Sequence, residues 1–303
     1  MKESPLVSII TITRNRGEII SRAINSVINQ SYDNIEYLIV DGNSTDNTEE
    51  VVRKFKDDRI KYIRLNENLP IPETINVGFE NSKGKYITFL DDDDEYLKCK
   101  VEKQVRLFEN LGDEYGLVYC WMSYYNSQTG VFLHIHNCKL NGWVGSEVVE
   151  KPAVSGTPTF MFRREVYKKM GGWHIQGIIS DWELGVRVCQ KYAVDYVPES
   201  LVNVYINHSK QRMSDWGYYD DEFKKHIIFH EYFLSEYKDI FNSFPSKRWF
   251  HLYRLCILYF AIGNFKKGFA YYIKTLKINI SKQTVLGVLK GLDLYFLRNE
   301  KNK

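Results

Sequence analysis

Apolar runs and helix-period segments alternate through the first hundred residues. An apolar run from Leu6 to Ile12 ends at Thr13-Arg14-Asn15-Arg16. Ile19, Ile20, Ala23, Ile24, Val27 and Ile28 then share one stripe, as on a helix buried along one side. A second strand, IEYLIV, ends at Asp41-Gly42, and Asp46 with Glu49 makes a capping-box-like start to a second helix. A third strand, Ile60 to Leu65, ends at Asn66. Another helical segment follows Pro72, and a fourth strand, YITFL, ends in Asp91. Strands alternating with helices over short links predict an α/β fold with a doubly wound, mostly parallel sheet flanked by helices. Each strand ends in polar residues, so the carboxyl ends line one crevice, where such sheets bind ligands.

The pattern loosens after Val101. VEKQVRLFENL reads as a helix, GLVYCWM as a strand, HIHN as the end of a β-hairpin, and GTPTFMFRREVYKKMGGW as strand, helix and glycine stop. From about Gly217 the chain becomes helical, with Phe269, Tyr272, Ile273 and Leu276 spaced as one apolar face. Gly263-Asn264 breaks two of these helices. The segment RLCILYFAIGNFKKGFAYYIKTLKI resembles one helix–turn–helix unit of the tetratricopeptide type, and one unit is not an array. The expected organisation is residues 1–215 as one domain, with halves at 1–100 and 101–215, and residues 216–303 as a C-terminal helical region.

Charge changes this picture in one place. The net charge is +3, but Ile240 to Lys303 carries 12 Lys or Arg against two acids, a local net of +10. A basic tail on an acidic body fits contact with an anionic surface, an anionic membrane face included, or a solvated lysine-rich face. Hydrophobic residues at 44% and charged residues at 26% are ordinary for a globular protein. Five cysteines without a CxxC pair indicate neither a zinc ribbon nor a disulfide framework. With no signal-peptide pattern and no apolar stretch near the roughly 20 residues that cross a bilayer, the expected location is cytoplasmic. It allows peripheral contact on the membrane face through the basic helices.

The chemistry concentrates at Asp91-Asp92-Asp93-Asp94-Glu95, directly behind YITFL. Crowded carboxylates repel unless a cation sits among them, and hard divalent ions take oxygen ligands from carboxylates and phosphates. A metal–diphosphate site is one reading. A solvated acidic turn opening a helix is the other. No Gly-rich phosphate loop is present, which leaves ATPase and dehydrogenase readings without support. His226 and His230 stand four apart, but Ile227 occupies the glutamate position of HExxH, so the pair reads as structural. His134 and His136 share one face of their strand.

SIITITRNR, YLIVDGNSTDNT, GKYITFLDDDDEYL and DWELGVRV, in that order and spacing, resemble a family-2 glycosyltransferase of GT-A fold over roughly Pro5 to Met213. The resemblance implies an inverting hexosyl- or N-acetylhexosaminyl-transferase that moves a sugar from a nucleotide diphosphate, a UDP-sugar by family habit, to an acceptor hydroxyl. It implies Mn2+ or Mg2+ as cofactor, and glycans or lipid-linked glycans of cell-surface polysaccharide, glycolipid or glycoprotein synthesis as acceptors. It implies no nucleic-acid partner, and self-association stays open. Under it, residues 1–100 bind the nucleotide sugar and 101–215 the acceptor. Thr11, Thr13 and Arg14 match the nucleotide-contacting loop, Asp41 the residue that pairs with uracil, and Asn76 the segment closing over the donor. Asp91 and Asp92 fall to donor binding, Asp93 and Asp94 to the metal, His208 to metal or diphosphate, and Asp181 to the catalytic base. Plainer roles remain beside these: an Asx-turn for Asp41, a helix N-cap for Asp181, core packing for Trp173 and Trp182, and orientation or solvent exposure for Glu183. Two departures stand out. Ser180 occupies the position before the base where an acid is common, and PIPETINVG lacks the arginine often found near the sugar phosphate. A catalytically degenerate nucleotide-binding subunit and a nucleotidyltransferase of similar fold are the alternatives.

Overall fold

The computed structural model describes residues 4–173, 181–206 and 220–301. They divide into two compact units, residues 1–145 with 153–209, and residues 146–152 with 210–303.

In the first unit the chain runs β1 (Val7–Thr13), α1 (Ile20–Ile28), β2 (Ile35–Asp41), α2 (Thr48–Arg53), β3 (Ile60–Arg64), α3 (Ile71–Glu80), β4 (Tyr86–Phe89) and β5 (Glu95–Tyr96). It continues through α4 (Lys100–Glu109), β6 (Tyr115–Asn126) and β7 (Phe132–His136) to α5 (Gly145–Val148), most of which belongs to the second unit, and returns as β8 (Met161–Arg163), α6 (Arg164–Lys169), α7 (Asp181–Cys189) and β9 (Ala193–Ile206). Among the described residues one nine-stranded sheet runs β3-β2-β1-β4-β8-β6-β9-β5, with β7 paired to β6. β1 to β4 are parallel to one another; the inner strands are apolar on both faces, as a covered parallel sheet requires, and every residue of β2 and β4 is buried, whereas edge strand β3 is half exposed. β8 enters antiparallel between β4 and β6, and the two long strands β6 and β9 run parallel beyond it. The sheet flanked by helices and the helical C-terminal segment expected from the sequence are both present.

The α1 stripe behaves as its spacing demands. Ile20, Ala23, Ile24 and Val27 are buried in a core shared with Val7, Ile9, Tyr37 and Ile39 of the sheet. On the other face α3 approaches β1 closely. A Cβ on Gly78 would stand 2.6 Å from Ile10 Cγ2 and 3.2 Å from Val40 Cγ2. Both neighbours are β-branched and stiff. Gly78→Ala should therefore lower stability by about 1–2 kcal/mol, because overpacking of about 1–3 kcal/mol outweighs the ~1 kcal/mol helix-propensity gain. The shift of the urea midpoint measures it.

The second unit holds α8 (Asp220–Glu236), α9 (Lys238–Ser243), α10 (Trp249–Ala261), α11 (Phe265–Leu276) and α12 (Lys282–Lys301). Gly263, at φ 77°, and Asn264, whose side chain accepts from Lys267 N, make the expected break before α11. The face of α11 is a correction. Phe269 and Ile273 are 52% and 53% exposed, whereas Gly268 and Thr275 are buried. The reason is steric: a Cβ at Gly268 would meet the Phe260 ring at 2.9 Å, so α11 seats Gly268 on Phe260 and stacks Tyr271 on Tyr259, while Phe269 touches the Phe260 ring only with one edge. His230 is structural, as its spacing suggested, but its partner is His251. Burial pushes the His251 imidazole down to about 4, so the ring is neutral at ordinary pH. Its Nε2 donates to Val149 O at 2.7 Å, which leaves Nδ1 to accept from His230 Nδ1 at 3.1 Å.

Candidate active site

The parallel strands deliver their polar ends in register: Thr13 stands beside Asp41, and Asp41 beside Arg64. The loops that follow are laced together. Asn15 N donates to Ser44 Oγ at 2.8 Å, and Thr45 N donates to Asn15 Oδ1 at 2.8 Å. Asn15 and Asn43 both take positive φ, 54° and 63°, a conformation asparagine tolerates better than most residues.

At the end of β4 the chain makes a tight turn, Asp94 N donating to Asp91 O at 3.2 Å. This turn sorts the four aspartates. Asp92 leans back to β1, accepting from Thr13 Oγ1 at 2.7 Å, with Arg16 Nε 3.9 Å away. Oxygens of Asp91, Asp93 and Asp94 all lie within 4.8 Å of one another. Asp93 and Asp94 are buried. Three carboxylates this close, two of them shielded from water, repel unless a cation joins them, and an all-oxygen donor set suits a hard ion such as Mg2+ or Mn2+. The residues fit the cofactor that the acidic run implied, with Asp91 joining Asp93 and Asp94, and Asp92 standing aside.

The cluster is braced from behind by residues no sequence signal pointed to. Arg22 of α1 donates to the Asp93 carbonyl and lies over the Tyr205 ring, 3.7 Å from its centroid. Tyr205 N donates to Asp94 Oδ1 at 3.0 Å. β5 pairs with β9, where Asn203 Nδ2 donates to Glu95 Oε1 at 2.6 Å. Beneath β4, buried Lys100 donates to Thr88 Oγ1 at 2.5 Å and sits over the Tyr96 ring. Burial pushes its ammonium down to about 7.

Asp181 opens α7. Its Oδ1 accepts from Trp182 N at 2.7 Å and its other oxygen from Gly156 N. Burial pushes the carboxyl above the usual aspartate value; backbone N–H groups of Gly156, Trp182 and Thr157 pull it back, and His136 adds a smaller opposing pull. Asp181 is the first residue of α7 and binds the N–H next to it, not one two or three further on as an N-cap would, and a raised carboxyl is what a general base needs. The loop that grips Asp181 is tied to the acidic strand: Thr88 Oγ1, three residues before Asp91, donates to Phe160 O at 2.5 Å. His136, whose Nε2 bonds Ala153 O at 3.0 Å, is the strand-face histidine that comes near Asp181.

The remaining sequence candidates divide. Thr11 is fully buried; its hydroxyl donates to Leu90 O at 2.7 Å and accepts from Tyr37 OH at 3.0 Å. It braces β1 against β4, a correction to the nucleotide contact expected of it, because a strand side chain turned into the sheet packing cannot also face the crevice. Arg14 is exposed beyond the β1 end. Asp41 is buried and accepts from Ser44 N and Ser44 Oγ, each at 2.7 Å, and from Tyr62 OH, so its side chain pins the following loop three residues on, not two as in an Asx-turn. Asn76 faces the Gly171-Gly172 turn. Glu183 faces inward, not to solvent, and holds Arg187 through two bonds of 2.9 and 2.8 Å, while Arg187 reaches Gly172 O at 2.9 Å. Trp173 and Trp182 are buried, the core-packing role. His208 and Ser180 lie outside the described residues.

The parallel half-sheet, the crevice at its carboxyl edge and the acidic turn after β4 define a GT-A-type fold. Residues 8–171 match the family model Glycosyl transferase family 2, and the chain belongs to that family. It is 38% identical over 104 residues to a protein of Escherichia coli named UDP-Glc:alpha-D-GlcNAc-diphosphoundecaprenol beta-1,3-glucosyltransferase, covering 34% of this chain and 41% of that one. It is 41% identical over 97 residues to a Campylobacter jejuni protein named GalNAc(5)-diNAcBac-PP-undecaprenol beta-1,3-glucosyltransferase, covering 31% of each. The matched part thus spans less than half the length of these curated relatives. In fold it is similar to a mannosyltransferase of Pyrobaculum calidifontis solved with GDP-Man and Mn2+, with a TM-score of 0.63 at 14% identity over 99% of this chain and 88% of that one.

Proposed function

We propose that this chain is an inverting, divalent-cation-dependent glycosyltransferase that moves a sugar from a UDP-sugar to a hydroxyl of a lipid-linked glycan. The observation that carries the proposal is the separation of two carboxylate environments. Asp91, Asp93 and Asp94 crowd together at the end of β4, and Asp181 is held apart by the Gly156–Thr157 backbone. The relatives' names, with UDP-Glc in one and undecaprenol-linked glycans in both, support the donor and acceptor classes.

Residues 1–100 supply the donor half and 101–215 the acceptor half. Thr13 and Arg14 border the nucleotide, Arg14 through its exposed guanidinium, and Asp41 holds the loop behind them through Ser44. The acceptor oxygen attacks the anomeric carbon as the bond to the diphosphate oxygen breaks, and the acceptor proton passes to Asp181. Attack opposite the leaving group inverts the centre. A divalent ion held by Asp91, Asp93 and Asp94 would neutralise the charge gathering on the departing diphosphate. Arg22 keeps the acidic turn in place by gripping the Asp93 carbonyl.

The test is release of UDP from a panel of UDP-sugars, with a prenyl-diphosphate-linked N-acetylhexosamine as acceptor. We expect release and a glycosylated lipid in Mn2+ or Mg2+, and neither in excess chelator. Absence of product with every UDP-sugar in both metals would sink the proposal.

A further inference from the structure

Apolar side chains on α11 and α12 stay about half exposed, Phe265 and Phe269 resting against the Phe260 ring. On α11, Phe265, Phe269 and Ile273 follow one another at helical spacing and are 40%, 52% and 53% exposed. On α12, Val285, Leu289 and Phe296 are 50%, 56% and 61% exposed, with Leu286 and Leu297 beside them at 43% and 45%. Glycines and a threonine face inward instead: a Cβ on Gly291 would stand 2.5 Å from Phe260 Cβ. Apolar patches of this extent mark interaction surfaces.

Charge selects the occupant. Exposed Lys266, Lys274 and Lys277 border the α11 stripe, and exposed Lys290 borders the α12 stripe. Asp293 is an exposed acid on α12, three residues after Lys290. Lys274 and Lys277 also edge a cavity of about 700 Å³ whose other cations are Lys238 and Arg248, room enough for a phosphate headgroup. A second copy of the chain would set one +10 segment against another, and like charges repel. An anionic bilayer attracts the lysines and accepts the phenylalanines. No described helix is long and apolar enough to cross a membrane, so the geometry is that of helices lying in the interface.

We infer that α11 and α12 form a peripheral docking surface for anionic phospholipid, the aromatic and aliphatic stripes entering the headgroup boundary and the lysines meeting the phosphates. The surface needs neither donor nor acceptor, so it stands apart from the catalytic proposal.

The test is co-sedimentation of the full chain with phosphatidylcholine vesicles, with and without phosphatidylglycerol. We expect binding to the anionic vesicles only, weakened by added salt. Lys266→Glu with Lys277→Glu should weaken it by about tenfold or more, since each lysine near such a surface contributes about fivefold. Phe269→Ser with Phe296→Ser should weaken it by a similar factor. Both pairs change exposed positions, so melting temperatures should stay near the parent's. The inference is overturned if the parent stays in solution with anionic vesicles, if it binds neutral vesicles equally, or if both double variants sediment like the parent. It is also overturned if the Phe pair instead breaks a dimer while vesicle binding is absent.

Discussion

Asp181→Asn should lower turnover at saturating donor by about 10²–10⁴-fold, the span a positioned general base contributes, while UDP affinity changes by less than about twofold. The split follows from where Asp181 sits. It is held by Trp182 N and by the Gly156 loop, away from the carboxylates that gather after β4. Asparagine keeps one acceptor oxygen for these N–H groups but turns its amide toward another, which costs stability; it also removes a charge that burial disfavours. The two effects oppose, and the variant should melt within a few degrees of the parent. The pH dependence has a definite sign. Burial raises the Asp181 carboxyl above the ordinary aspartate value near 3.9. A base must be ionised, so parent activity falls as pH drops through that raised value, and the acid limb of kcat/KM lies above the usual aspartate range. In folding, a carboxyl with a raised folded-state pKa favours the native state when protonated and loses that contribution as pH rises. Asp181 therefore gives up stability at neutral pH in exchange for basicity. Normal transfer by the variant, or an acid limb at an unperturbed aspartate value, would exclude Asp181 as the base.

How far the sequence reaches is clear from particular residues. β1, β2 and β4 were legible because strands buried on both faces are apolar along their length, and the polar residues ending them mark the crevice; β3, at the edge, interleaves Lys61 and Arg64 with apolar residues instead. The acidic turn was legible as a site, but its division was not. Which aspartate meets which neighbour depends on a turn closed by Asp91 O and Asp94 N, which swings Asp92 toward Thr13. Thr11 misleads because alternation places it on a face without saying that its hydroxyl is taken up by the Leu90 carbonyl and Tyr37. Arg22 was invisible: it reaches Asp93 across 71 residues of sequence, and nothing local distinguishes it from any other arginine on a helix. The α11 face failed for a different reason. Apolar periodicity counts side chains that are present, whereas this helix packs through Gly268, where a side chain is missing. The exposed stripe that remains is the same feature that gives the second unit its docking surface.

Asp93→Asn should remove the metal-dependent part of donor binding. With Mn2+ present, UDP affinity should fall by about 100-fold, about 2.8 kcal/mol at 1.4 kcal/mol per factor of ten; without metal, parent and variant should bind equally weakly. Two of the groups that hold the turn are independent of the Asp93 side chain. Arg22 grips the Asp93 backbone carbonyl, and Tyr205 N holds Asp94. Loss of affinity then reports the carboxylate and not a collapsed loop. A second readout runs in the opposite direction. Asp93 is buried with Asp91 and Asp94 close by, so without metal the ionised cluster repels itself, and neutralising one member should raise the melting temperature of the metal-free protein. Adding Mn2+ with UDP should stabilise the parent in proportion to the logarithm of ligand over Kd and leave the variant nearly unmoved. A purely solvated acidic turn predicts neither change: neutralising one exposed carboxylate there would leave the metal-free melting temperature and the Mn2+–UDP response of the two proteins alike. Opposite signs in the two conditions are what distinguish a cation site from an acidic surface, and equal Mn2+–UDP stabilisation of parent and variant would place the metal elsewhere.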